Sequence, residues 1–406
     1  LKEIHLGCRI NREQKQGGCL MKTAIVGGKI YTITNGIIEN GTVLIENGKI
    51  VEVGQDVNVP EDAKVLNAEG KTITPGLIDA HSHICLWGEP NVPMVMDFNE
   101  ISSPITAEVR GMDSINPQDP AVKLVREHGI TSVYTGPGSA NIIGGTGVAI
   151  KLRGLTVEEM MYPGTEGMKM ALGENPKRVY GERKNEPSTR MGNAAVLRKS
   201  LIKAQNYLNK IEHAEKEGKP LPDRDLQLEM IGKVVKGELT ARIHAHRADD
   251  IITAIRIAEE FSLKYSIEHC TEGYKVKEIL AEKDVTAVVG PLLMGPAKQE
   301  LWEVKMETPG ILNDAGVNVC IQTDVAGGTR WLPVHVGLAI RHGLKEEEAF
   351  KSVTINPAKF LGIDNQVGSL EAGKDADIVV WDGHPFSNLT SCVMTIIDGE
   401  VLFEKK

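Results

Sequence analysis

The sequence predicts an α/β protein, a (β/α)₈ TIM barrel joined to a small β-sandwich assembled from both ends of the chain. Three observations predict it. Between residues 75 and 356, strand-like segments alternate with amphipathic helical ones, the signature of parallel strands with crossover helices and, at this length, of a closed barrel. Both chain ends are instead rich in short β runs and turns. Histidine or aspartate stands at the C-terminal end of four barrel-type strands, where barrels of this kind carry their chemistry.

Residues 21–74 contain KTAIVGG, KIYTI, TVLIENG and KIVEVG, β-branched runs bounded by Gly and Asn turns. Residues 357–406 repeat that texture in VGSLEAGKDADIVVWDG and MTIIDGEVLF, so the two stretches are expected to share one sandwich. The barrel is assigned to 75–356, with strands in ITPGLIDAHSH, GITSVYTGP, EGMKMALGE, LTARIHAH, KYSIEHC, VTAVVGP and VNVCIQTD. GITSVYTGP is taken as the third strand, and a weakly marked second strand is expected within 92–115. Residues 187–237 read as a helical insertion. An open doubly wound sheet would place a Gly-rich phosphate loop after its first strand; here that strand ends in DAHSH. Residues 1–20 lack the apolar stretch of a signal peptide and are expected to lie outside the fold, which begins at Met21.

Composition narrows the class. The chain has 406 residues, 41% hydrophobic and 25% charged, with a net charge of −9. That charge disfavours nucleic acid as a partner, and no apolar run approaches the ~20 residues of a membrane helix. A small-molecule substrate is the expected partner, and a homo-oligomer is compatible with the sequence. Six scattered cysteines form no CxxC pair, which suits a reduced cytoplasm better than a disulfide scaffold.

The first barrel strand ends in His81-Ser82-His83, and alternation turns both imidazoles to one face. The fifth ends with His244 and His246, the sixth with His269 and the eighth with Asp324. Nitrogen and carboxylate donors without thiolate suit Zn²⁺, or less selectively Mn²⁺, Fe²⁺, Co²⁺ or Ni²⁺. Singly, each has a structural reading: His269 as a hydrogen-bonded strand residue, Asp324 as a helix cap. Their recurrence at four strand ends in barrel order favours a metal centre.

PGLIDAHSH, IHAH, IEHC, QTD and the closing INPAKFLGIDNQVGSLEAGKDADIVVWDG resemble the amidohydrolase superfamily, in its imidazolonepropionase-like and prolidase-like branch. The resemblance spans almost the whole chain from residue 22. It implies one or two metal ions at the barrel mouth, with His81, His83 and Asp324 on the first and His244 and His269 on the second. By the register of related sequences His244 is the ligand, while His246 shares its face and either contacts substrate or is structural. The resemblance also implies a carboxylate shared by two ions, either Glu174 or a carboxylated Lys169. Glu174 is preferred for its intrinsic charge, provided Gly173 bends the strand to turn it inward.

The chemistry implied is hydrolysis of a C–N amide bond by metal-activated water, with Asp324 as general base and then acid and His246 as an oxyanion donor. Lys177, Arg178 and Tyr180 are expected to bind substrate, the two cations taking a carboxylate; Arg190 follows nearby. The substrate class is then an N-acyl amino acid, a dipeptide or a cyclic amide such as an imidazolone. The glycine-rich 136–147 reads as a mobile lid. The alternative is a mononuclear deaminase of a heterocycle, which would need a Glu after the fifth-strand histidines; the chain offers Asp249 instead. A non-enzymatic scaffold is a third reading, disfavoured by the complete ligand set.

Overall fold

A computed structural model describes residues 22–406 and shows two eight-stranded sheets. The expectation for residues 1–20 falls outside the described residues. The first sheet takes β1 (Lys22–Tyr31), β2 (Ile37–Glu46), β3 (Lys49–Gly54), β4 (Lys64–Asn67) and β5 (Thr72–Pro75) from the start of the chain. The barrel follows as β6 (Leu77–Ser82), β7 (Ile130–Thr135), β8 (Ile143–Lys151), β9 (Gly167–Ala171), β10 (Thr240–Ala245), β11 (Tyr265–His269), β12 (Thr286–Val289) and β13 (Asn318–Ile321). β14 (Ile378–Trp381), β15 (Cys392–Ile397) and β16 (Glu400–Glu404) return to the first sheet, where β14 pairs antiparallel with β5. Strands from both ends therefore form one hydrogen-bonded sheet. Its core, including Ile25, Ile45, Ile73, Ile378 and Ile396, is separate from that of the barrel.

The handover between sheets is tight. β5 runs into β6 through Gly76, where a Cβ would lie 2.0 Å from the Thr131 hydroxyl. Only glycine allows β6 to settle against β7 so soon after leaving the first sheet.

The barrel closes in the order β6 to β13, with Asp324 N–H donating to His81 O (3.2 Å) and His83 N–H to Val325 O (3.0 Å) across the seam. Two expectations need correction. Ile130–Thr135 pairs directly with β6 and is the second barrel strand, not the third; residues 92–115 contribute short turns and the isolated bridges Ile105–Ile143 and Arg110–Thr146. The third strand is β8, and it runs antiparallel to both β7 and β9. The physical reason is the short link 136–142, which suits a reversal of direction but is too short for a parallel crossover helix. Half of the expected glycine-rich lid is thus buried strand.

Outside the barrel, helices bury one stripe each. In Ala248–Glu260 the buried Ile251, Ala254, Ile255 and Ala258 follow the i, i+3, i+4, i+7 pattern. The insertion folds as Arg190–Glu217, capped by the Thr189 side chain and ended by Gly218 in the left-handed region, packed on Leu226–Val235.

An ion cluster ties the two sheets together away from the histidines. The Lys151 ammonium, at the end of β8, contacts Asp375 (2.7 Å), Asp377 (3.2 Å) and Asp398. Burial pushes the Asp377 carboxyl up to about 6. Removing one partner of a buried cluster strands the remaining charges. Lys151→Met is expected to cost about 3–5 kcal/mol of stability, measured by urea denaturation; a loss below about 1 kcal/mol, the range of exposed pairs, would show that the cluster does not hold the sheets together.

Candidate metal centre

The barrel strands deliver their polar ends to one mouth. His81 lies near the end of β6 and His83 just beyond it, His244 and His246 sit at the end of β10, His269 ends β11 and Asp324 follows β13. All five imidazoles are buried. Asp324 is the more open group, its side chain 23% exposed, so solvent reaches the centre past this carboxylate.

The donors fall into two groups. His244, His246 and His269 bring ring nitrogens within 4.8 Å of one another, and His81, His269 and Asp324 do likewise. Asp324 Oδ1 lies 3.2 Å from Nε2 of both His81 and His83, and 3.9 Å from His269 Nε2. His83 thus belongs with the second group.

Hydrogen bonds at the opposite ring nitrogen orient three rings. His81 Nδ1–H donates to Glu268 (2.6 Å), His83 Nδ1–H to Gly136 O (2.8 Å) and His269 Nδ1–H to Gly290 O (2.9 Å). Each leaves Nε2 with its lone pair toward the centre, the second-sphere pattern that fixes a ligand's tautomer. His246 Nδ1 meets the Thr271 hydroxyl at 2.8 Å. Nε2 of His244, His246 and His269 are buried without a hydrogen-bond partner. Buried polar atoms rarely stay unsatisfied, and three converging imidazole lone pairs fit a cation.

Electrostatics keep these donors in ligand form. Burial pushes His83 down, His269 to about 3, and His244 and His246 well below the usual imidazole range. Burial alone would raise Asp324, but protons on the facing rings of His269, His81 and His83 would hold it well below the carboxylate range. Glu268 behaves alike: burial opposes its charge, while Arg242 and His81 outweigh it.

The backbone is bent where function gathers. His269 has φ 72° and Asp324 φ 58°, left-handed values that are uncommon outside glycine, that His and Asp adopt more readily than most residues, and that cluster at functional sites.

Lys169 and Glu174 separate clearly. Lys169 stands in register with Arg242 on the neighbouring strand, its ammonium 3.1 Å from His81 Nε2, and burial lowers it to about 8. Glu174, the preferred bridging group, is corrected. Gly173 does bend the chain, at φ 90°, but the bend starts the helix Glu174–Glu182 and sends the Glu174 carboxylate to the backbone N–H of Glu300 (3.4 Å). Glu174 belongs to neither donor group.

Of the expected substrate residues, Tyr180 is corrected. Tyr180 is buried, its hydroxyl 2.6 Å from Ser103 O and beside Asn141; it braces the scaffold. Arg178 on the same helix is exposed and Lys177 half-buried. Arg190 is committed to Asp250 at 2.9 Å, and Asp249 pairs with Arg247 at 2.9 Å, which removes it as a proton shuttle.

Sequence reasoning missed Glu268, Arg242, Glu300 and Lys298. Strand alternation puts Arg242 on the same face as His244 and could have found it; Glu268 adjoins His269, and alternation alone would place the two on opposite faces, the backbone turning at His269. Glu300 lies in an irregular segment with no periodicity to mark it.

Comparison with known proteins agrees with this geometry. A family model described as the amidohydrolase family matches residues 72–402. The chain belongs to the amidohydrolase family. Amidohydrolase tasK of Hapsidospora irregularis is 30% identical over 392 residues, covering 90% of this chain and 40% of that protein. The chain therefore spans less than half of that relative. Imidazolonepropionase of Geobacillus kaustophilus (strain HTA426) is 28% identical over 379 residues, covering 86% of this amidohydrolase and 85% of the relative. The solved structure of an amidohydrolase from Thermotoga maritima MSB8 superposes with a TM-score of 0.89 at 44% identity, covering 94% of this chain and all (100%) of that one.

The rim of the centre carries a titration marker outside the donor groups. His335 Nδ1 accepts the Leu292 backbone N–H at 3.2 Å, which requires a neutral ring, and burial lowers its pKa from 6.5 to about 4. Above pH 6.5 the ring is neutral in folded and unfolded chains and contributes nothing. As pH falls from 6.5 towards 4, the unfolded chain takes the proton first and stability is lost, on the order of 3 kcal/mol. In metal-free protein, His335→Gln should flatten the fall in urea midpoint over that range; parallel curves for the two proteins would contradict it.

Proposed function

We propose that this amidohydrolase is a metal-dependent hydrolase that opens a C–N amide bond with water, using two divalent ions, for which the nitrogen and carboxylate donors suit zinc. The carrying observation is the convergence of the unpartnered Nε2 atoms of His244, His246 and His269 beside Asp324. His81, His83 and Asp324 would hold one ion; His244, His246 and His269 would hold the other. His246 thereby moves from oxyanion donor to ligand, because it stands level with His244 and has the same free nitrogen. Lys169, as a carbamate, would supply the shared carboxylate in place of Glu174.

A divalent ion bound here would lower the pKa of water from 15.7 towards ~7 and polarise the scissile carbonyl. The residues then divide the remaining work. Asp324, ionised and open to solvent on one side, takes the proton from water on its carboxylate and passes it to the leaving nitrogen. Glu268 holds the Nδ1 proton of His81, so that this ring keeps one orientation while charge changes at Asp324. The buried imidazole wall keeps bulk water from the reacting carbonyl.

The substrate class that fits is a small amide: an N-acyl amino acid, a dipeptide or a cyclic amide. The imidazolonepropionase relatives favour the cyclic case. Buried thiols at Cys85, Cys270, Cys320 and Cys392, none in a disulfide, fit a reducing cytoplasm, and no described helix is long and apolar enough to cross a membrane.

Metal analysis of purified protein by mass spectrometry tests the ligand assignment. Wild type should carry about two ions per chain, Lys169→Ala about one or fewer, and Glu174→Gln as many as wild type. Asp324→Asn should lower kcat by about 10²–10⁴-fold, the usual weight of a general acid–base group. Loss of metal in Glu174→Gln but not in Lys169→Ala would return the bridge to Glu174, and metal-free protein that takes up no Zn²⁺ would end the metal reading.

A further inference from the structure

The segment after β12 brings one more carboxylate to the centre. Glu300 is fully buried; its Oε1 lies 3.8 Å from His244 Nε2 and 3.7 Å from His246 Nε2. Two ligands on a tetrahedral zinc with bonds near 2.1 Å sit about 3.4 Å apart. The carboxylate oxygen thus stands within a few tenths of an ångström of a ligand edge to both imidazoles.

This carboxylate is held in place from behind. Oε2 accepts the Glu174 backbone N–H at 2.9 Å, and the Arg190 guanidinium lies 3.9 Å away. At Gly173 a Cβ would come within 2.7 Å of Oε2, so the glycine at this bend leaves the room that Glu300 occupies. The segment is anchored on both sides, by Leu292 on His335 (3.2 Å) and by Glu303 on the Tyr274 hydroxyl (3.0 Å). On the other oxygen, the Lys298 ammonium lies 2.6 Å from Oε1 and also reaches Asn175 Oδ1 at 3.1 Å.

We propose that Glu300 is a further carboxylate ligand of the divalent cation held by His244 and His246, and that the Lys298 ammonium competes with that cation for the same carboxylate oxygen. The inference rests on the metal-dependent reading above. The segment 291–307 becomes part of the metal centre, and cation binding and the position of Lys298 are linked.

The test is Zn²⁺ affinity of metal-depleted protein, measured by competition with a chromophoric chelator, beside the visible spectrum of Co²⁺-loaded protein as a report on coordination number. Glu300→Gln is expected to weaken one of two Zn²⁺ sites by at least about 10-fold, the lower range for disturbing groups around a metal, and to change the Co²⁺ bands. Lys298→Met is expected to tighten the same site several-fold, and this second variant keeps the test decisive if Glu300→Gln folds poorly. Wild-type affinity and an unchanged spectrum in Glu300→Gln would overturn the Glu300 ligand, and so would unchanged affinity in Lys298→Met. Either result would leave the metal reading standing, because wild type would still bind. Wild-type protein that binds no Zn²⁺ would overturn both.

Discussion

A carboxylate buried inside the barrel, Glu268, accepts a hydrogen bond from His81 Nδ1 at 2.6 Å and ion-pairs with Arg242 at 3.0 Å, and the order of the whole mouth depends on it. Arg242 in turn donates to Ala80 O and lies over the Tyr134 ring, 3.5 Å from its centroid. One charge therefore links β6, β7, β10 and β11. Taken alone, a buried ion pair is weak evidence of stability. Here it sets which nitrogen of His81 faces Asp324, and it keeps the cationic Arg242 occupied beneath the centre proposed to take another cation.

The same logic extends outward in shells. Backbone carbonyls at Gly136 and Gly290 turn His83 and His269. Asp79, buried below His81, accepts from the Thr323 hydroxyl (2.6 Å) and the His81 N–H (3.0 Å), fixing the strand that carries the HxH pair against the one that carries Asp324. These contacts hold the rings before any cation arrives, which reduces the ordering a ligand must impose. The bent backbone at Asp324 is held where the barrel closes between β13 and β6, its N–H bonded to His81 O.

Much of this was legible in the sequence, for identifiable reasons. His81, His83, His244, His246, His269 and Asp324 stand at strand ends, where period-two alternation and barrel topology specify where a side chain goes. Lys169 and Glu174 were harder, because the choice depended on whether Gly173 would turn the strand inward or begin a helix. It begins a helix. The antiparallel β8 was hidden because a buried strand reads the same in either direction, and only the seven-residue link 136–142 hinted at reversal. Tyr180 looked like a substrate contact because its neighbours are basic; its hydroxyl is instead taken by Ser103 and Asn141. Glu300 and Lys298 had no periodic context at all, and their meaning comes only from the tertiary position of the segment that carries them.

The central claim is that the histidine cluster is a divalent-metal centre, and X-ray absorption at the metal edge of the purified protein tests it most directly. The account predicts a zinc or other first-row metal edge, with a first shell of nitrogen and oxygen near 2.0–2.1 Å and imidazole scattering beyond it. An edge signal at background level, or a first shell without imidazole, would contradict it.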